Sequence, residues 1–178
     1  MTLVFSNPNI AIATEADIAA IKDLLNSAYR GESSKQGWTS EADLISGSTR
    51  TNEIILQETM QQPGSVFLKY TGGEQQITGC VNLQQHNYKI YLGMFSVSPQ
   101  VQGGGIGKHL LKAAEEYTQH LQCNAIYMSV ISVRTELINW YKRHGYVETG
   151  EKKPFEEDDT SGKHLQVLEF IMLEKSLA

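Results

Sequence analysis

The sequence predicts a mixed α/β fold, with a central mixed sheet of about six or seven strands and helices on both faces. Three observations predict it. Apolar runs bounded by turn residues alternate with segments of helical periodicity, in the order β, α, α, β, β, β, α, β, α, β, β. At 178 residues the chain can fill one core and has no length for a second, so a single domain over residues 1–178 is expected. Near the middle, an apolar strand runs through a glycine-rich turn into an amphipathic helix, which is the design of an anion-binding site.

The elements follow in order. Ile10-Ala-Ile-Ala is a short apolar strand, and Thr14 then caps a helix with Asp17 in its first turn. Ile18, Ile21, Leu25 and Ala28 share one face of that helix. Arg30 to Gln36 is polar, with Gly31 and two serines, and reads as a loop. Glu41 to Ser46 reads as one helical turn or two, and Asn52 to Gln61 as a longer helix stopped by Gln62-Pro-Gly. Val66 to Tyr70 and Gln76 to Leu83 form a hairpin with Gly72-Gly73 at its turn, and Lys89 to Val97 is the next strand.

After the glycine turn, Ile106, Leu110, Ala113, Ala114, Tyr117 and Leu121 fall on one helical face, opposite Lys112, Glu115, Glu116 and Gln119, so this helix packs on the sheet. Ala125 to Ile131 is a strand, and a helix follows from Arg134 to about Gly145. Tyr146 to Lys152 and Leu165 to Leu173 are the last two strands, joined by a long loop carrying the acidic run Glu156 to Asp159.

Composition narrows the function. Hydrophobic residues are 40% and charged residues 20%, which excludes disorder as the default. No apolar run reaches the roughly 20 residues needed to span a bilayer, and the N-terminus lacks a basic segment and a cleavage site, so a cytoplasmic protein without a membrane partner is expected. Cys80 and Cys123 lie in neither metal-ligand nor redox spacing, and the five histidines form no pair at ligand spacing; no metal is expected. A formal net charge of −5 argues against nucleic acid as a partner and favours amines. Oligomeric state is open, with a homodimer the commonest outcome for soluble oligomers.

The glycine turn has a definite type. A Walker loop fails, because Gln102 stands where its first glycine belongs and Lys108 is followed by His109. A dinucleotide fingerprint fails because its third glycine falls on Lys108. The pattern Gln/Arg-x-x-Gly-x-Gly/Ala is met by Gln102, Gly105 and Gly107. It resembles the acetyl-CoA pyrophosphate loop of the GCN5-related N-acetyltransferases (GNAT superfamily). A second segment, Trp140-Tyr-Lys-Arg-His-Gly-Tyr146, is similar to that family's helix-ending Leu-Tyr-x-x-x-Gly-Phe signature, with Tyr141 at the tyrosine position. The two motifs, in order and one strand and one helix apart, cover about Tyr91 to Thr149.

The resemblance implies the GNAT acyl-CoA N-acyltransferase fold, in which the strand before the loop bulges and splays from its parallel neighbour. Gly93, mid-strand, is the expected bulge. It also implies acetyl-CoA as cosubstrate and a primary amine as acceptor, joined by direct attack in a ternary complex without an enzyme-bound intermediate. Cofactor contacts are then expected from Phe95, Ser96, Val97, Gln102, Gly103, Gly104, Gly105, Ile106, Gly107 and Lys108, with a main-chain N–H around Phe95 to Val97 polarising the thioester carbonyl. Tyr141 is the candidate general acid, since a phenol is protonated at neutral pH; core packing of a helix face is the competing reading.

One position departs from the family pattern. Arg134 stands where many relatives carry an asparagine that contacts the cofactor arm. It is assigned to a CoA phosphate, with a substrate carboxylate or a surface ion pair as the alternatives. No carboxylate lies in Ile90 to Val97 or Ala125 to Ile131, so the general base is unassigned. Glu32 is the candidate base or substrate contact, against a solvated surface glutamate, and Tyr29 and Trp38 are candidate acceptor contacts, against ordinary packing. The acceptor is expected to be a small amine. The competing functions are a non-catalytic acyl-CoA-binding or regulatory domain and an acetyltransferase for protein N-termini or lysines.

Overall fold

The computed structural model describes residues 2–37 and 40–177. Among them, one sheet has the order β1-β2-β3-β4-β5-β7-β6, built from β1 (Ile10–Ile12), β2 (Ser65–Thr71), β3 (Ile77–His86), β4 (Lys89–Val97), β5 (Ala125–Ile131), β6 (Val147–Phe155) and β7 (Leu168–Ser176). Only the central pair β4·β5 is parallel, and the glycine loop and its helix make the crossover between them. The mixed sheet matches the expected fold class.

Helices cover both faces. On one, α1 (Ile18–Tyr29) and α3 (Glu53–Gln61) pack with Phe67 and Cys80, and Ile18, Ile21, Leu25 and Ala28 are all buried as their spacing predicts. On the other, α4 (Ile106–His120) and α5 (Thr135–Arg143) pack over Leu68, Val81, Ile126 and Leu173. Adjacent residues of β2 therefore serve opposite layers, Phe67 toward α1 and Leu68 toward α4, as the pleat of a strand buried on both faces requires. Both cysteines are buried and reduced.

Helix starts follow local chemistry. Thr14 precedes a 3-10 turn, Glu15–Asp17, that feeds α1, and its amide donates to the Asp17 carboxylate at 2.8 Å. Asn52 caps α3 by accepting from the Ile55 amide at 2.8 Å.

Several boundaries differ from the sequence reading. The segment Arg30 to Gln36 is not all loop: a single helical turn, α2 (Gly31–Ser34), follows α1 directly. Glu41 to Ser46 forms no helix; Ile45, fully buried, makes an isolated bridge with His164, and Ser46 N–H donates to Lys163 O. The Leu44 and Ile45 amides both donate to Glu41 O, closing one turn, and tertiary pairing of Ser46 stops it from continuing. At the β2·β3 turn the positive φ angles fall on Glu74 and Gln75, each 61°, rather than on Gly72-Gly73. The last two strands begin and end later than expected.

Candidate active site

Two cavities meet at Phe95, on the C-terminal half of β4. The first, about 620 Å³, is built on the glycine loop. Gly105 is the N-cap of α4 at φ 83°, and Gly103 has φ 92°, left-handed conformations that glycine adopts without a Cβ penalty. The loop therefore turns its backbone into the first turn of a 15-residue helix, where the free N–H groups and the helix dipole favour an anion. A Cβ on Gly107 would lie 3.4 Å from both Phe95 Cζ and Trp140 Cζ2, so the bare glycine keeps the cleft open at this point. Gln102 Nε2 donates to Val97 O at 2.8 Å and ties the loop to the strand it leaves.

The strands below this cleft separate. β4 pairs with β5 only at Lys89, Ile90 and Tyr91. On its other side, Asn82 pairs with Gly93 and Cys80 with Ser96, so Met94 and Phe95 together stand opposite Val81. The bulge thus falls beside Gly93 rather than on it, and Met94 carries it at φ 47°, an uncommon conformation for a side-chain-bearing residue. Ser98 N–H donates to Thr78 O, which turns alternate main-chain groups of this segment toward β3 and those of Val97 toward the gap. Val97 O, bonded by Gln102, faces that way.

Of the expected cofactor contacts, Phe95, Ser96, Val97, Gln102, Gly103, Gly105, Ile106, Gly107 and Lys108 all line the first cavity. Gly104 belongs to the same loop but does not line it, and neither does Arg134. The opposite wall comes from α5 and its C-cap: Glu136, Asn139, Trp140 and Arg143, with His144 just past the helix end. Sequence reasoning missed these residues, although Trp140 and Arg143 flank Tyr141 in the recognised motif and share a helix face at i, i+3. Lys108 and Arg143 place a cation on each wall.

The second cavity, about 200 Å³, lies where β4 and β5 splay. Tyr141, 4% exposed, lines it. Burial first, and Tyr29 second, raise its phenol well above the usual 10, against the opposing influence of Arg134. Tyr29 also lines the cavity, its hydroxyl donating to the Phe95 carbonyl oxygen. The Arg50 guanidinium sits 5.6 Å from the Tyr29 ring centre.

Arg134 belongs to this second cavity, not to the cleft on the glycine loop. Its Nη1 lies 3.4 Å from Glu41 Oε2, while the fully buried Arg30 donates Nη1 to Glu41 Oε1 and Nε to Ser161 O at 3.1 Å. Glu41 is the carboxylate lining the smaller cavity, and no sequence signal pointed to it; a glutamate in a polar loop reads as solvated surface. Glu32, the expected base, points outward with its side chain 91% exposed and 3.2 Å from Lys35, and lines neither cavity. Trp38 lies outside the described residues. Among the described residues no group of His, Cys, Asp and Glu could hold a metal ion, and no helix is long and apolar enough to cross a membrane.

This fold and loop define an acyl-CoA-type transferase scaffold, and comparison with known proteins agrees. The profile of the Acetyltransferase (GNAT) family matches residues 18–146, and the chain belongs to that family. A spermine/spermidine N(1)-acetyltransferase of Bacillus subtilis (strain 168) is 33% identical over 66 residues, 36% of this chain and 43% of that protein, so the match spans less than half of the relative's length. Among solved structures, a putative phosphinothricin N-acetyltransferase superposes with a TM-score of 0.72 at 13% identity, covering 95% of this chain and 98% of that one. The ribosomal-protein-alanine N-acetyltransferase from Brucella melitensis gives 0.69 at 20% identity, covering 94% and 99%. At these identities the structural likeness concerns the fold.

Proposed function

We propose that this chain transfers the acetyl group of acetyl-CoA to a small primary amine by direct attack in a ternary complex, with Tyr141 as general acid. The observation that carries the reading is the meeting of the two cavities at Phe95, with Tyr141 beside the junction. The residues of the larger cavity suit the cosubstrate: loop amides and the α4 N-terminus for the pyrophosphate, Lys108 and Arg143 for charge, and the splayed edge of β4 for the extended pantetheine arm.

The amine attacks the thioester carbonyl carbon, so a C–N bond forms as the C–S bond breaks. Negative charge gathering on the carbonyl oxygen is met by a main-chain N–H of the splayed segment Phe95 to Val97. The departing thiolate takes the Tyr141 proton, and the proton shed by the acceptor nitrogen leaves through water to restore the phenol. Glu41 is not the base in this account, because both its oxygens are engaged by arginines. Its work is to position them.

A cavity of about 200 Å³ favours a small acceptor over a protein terminus or side chain carried on a bulky chain. The polyamine acceptor in the relative's name supports a small amine, although the matched segment covers under half of that protein. The test is Tyr141→Phe: thiol release from acetyl-CoA should fall about 10²–10⁴-fold while acetyl-CoA affinity is kept. Undiminished turnover would remove Tyr141 from the chemistry, and absence of amine-dependent thiol release in the wild type would overturn the transferase reading.

A further inference from the structure

The charge of the smaller cavity runs against the charge of the chain. The protein is acidic overall, at −5, yet the charged side chains on this wall are Arg50, Arg134 and Glu41. Behind them, Arg30 occupies one oxygen of Glu41, and Arg134 approaches the other. Asp158 also feels the charge of Arg50, and it is held by the Thr160 amide at 2.8 Å, the Ser161 amide at 2.6 Å and the Ser161 hydroxyl at 2.7 Å. The remaining wall is largely apolar, from residues such as Leu92, Met128 and Leu137.

Resting on the transferase reading above, we propose that the acceptor is a small primary amine that also carries an anionic group, an amino acid with an apolar side chain, and that Arg50 receives its carboxylate. Tyr29 sets the scale. Its hydroxyl donates to the Phe95 carbonyl, where the two cavities meet, and the Arg50 guanidinium lies over its ring, 5.6 Å from the ring centre. An α-amino acid held by its carboxylate at Arg50 would extend its nitrogen along Tyr29 toward that junction. Among the described residues Arg50 forms no salt bridge, and an incoming carboxylate would give it one.

The same charges discriminate against polyamines. A second or third ammonium group brought into a small cavity lined by Arg50 and Arg134 adds like-charge repulsion at low dielectric, whereas a carboxylate meets opposite charge. The positive wall also favours the neutral form of the acceptor amine, which is the form that attacks. The apolar residues would take the amino-acid side chain.

The experiment is acetyl-CoA-dependent thiol release with apolar L-amino acids such as leucine and phenylalanine, each beside its amide and its decarboxylated amine, with spermidine as a further acceptor. The expected result is a kcat/KM at least tenfold higher for the free acid than for its amide. Arg50→Gln should raise KM for the acid at least tenfold with kcat within about twofold, leave the amide unchanged, and keep acetyl-CoA affinity. Equal or better use of the amide, the decarboxylated amine or spermidine overturns the proposal, and so does an equal loss for acid and amide in Arg50→Gln. Calorimetry of leucine and phenylalanine against the CoA-loaded protein separates the two levels. Binding weakened by Arg50→Gln without thiol release from any amine would sustain the anionic-acceptor site and overturn the transferase reading; no binding and no turnover overturns both.

Discussion

Glu41 Oε2 lies 3.4 Å from Arg134 Nη1, across a gap of 93 residues, while its Oε1 accepts from Arg30. One carboxylate thus joins the end of α1, the loop before α3 and the start of α5 around the smaller cavity. Arg30 is 1% exposed and Glu41 7%, so neither charge can fall back on solvent.

Removing Glu41 alone should therefore cost more than removing the pair. Glu41→Ala leaves the Arg30 guanidinium buried without a counterion and should destabilise the fold by about 3–5 kcal/mol. A double variant, Arg30→Leu with Glu41→Leu, should recover a large part of that loss. Urea denaturation of both checks it, and equal losses would mean that the pair is not coupled.

Tyr141 gives a prediction for pH. Burial holds its phenol protonated beyond the usual 10, so it remains a proton donor throughout the working range. kcat/KM should rise with pH as the acceptor amine deprotonates and show no falling limb up to pH 10. The rise should persist, on a lower plateau, in Tyr141→Phe. A falling limb near pH 8 in the wild type, absent from the variant, would contradict the assigned environment.

Asp17 links pH to stability. Burial alone would raise its carboxyl, but the Lys69 ammonium at 2.8 Å and the Thr14 amide bring it below 3.8. A depressed carboxylate contributes stability that is present above the unfolded-state value and is lost as pH falls through the folded one. Asp17→Asn should cost about 1–2 kcal/mol at pH 7, and the difference from wild type should shrink below about pH 4. A difference that stays constant down to pH 2 would refute the linkage.

The parts of this molecule that were legible in its sequence are those where main-chain geometry demands a residue type. Gly105 must turn left-handed to start α4, and Gly107 leaves the cleft wall between Phe95 and Trp140 bare, so their spacing betrays the loop. The amphipathic faces of α1 and α4 were readable for the same reason, since burial repeats with the helix. The bulge was less legible. Its strain falls on Met94, where packing against the α1 layer overrides the local preference that favoured Gly93. The smaller cavity was hardest to see. Arg30, Glu41, Arg50 and Arg134 come from separate segments, and nothing in a polar loop distinguishes a buried arginine from a solvated one. Arg134 was noticed as a departure from the family pattern, but its side of the strand pair was not, because that depends on where β4 and β5 part after Tyr91.

The central claim is that the cavity under the glycine loop receives acetyl-CoA. Gly107 has an ordinary helical backbone, and a Cβ there makes only van der Waals contact with the two rings, so Gly107→Asp adds a carboxylate to the phosphate site without straining the chain. Calorimetric titration of acetyl-CoA should give a Kd on the order of micromolar for the wild type and a loss of at least about 100-fold for Gly107→Asp, or roughly 2.7 kcal/mol, at an unchanged melting temperature. Equal affinity in the two proteins, or no binding to the wild type, would contradict it.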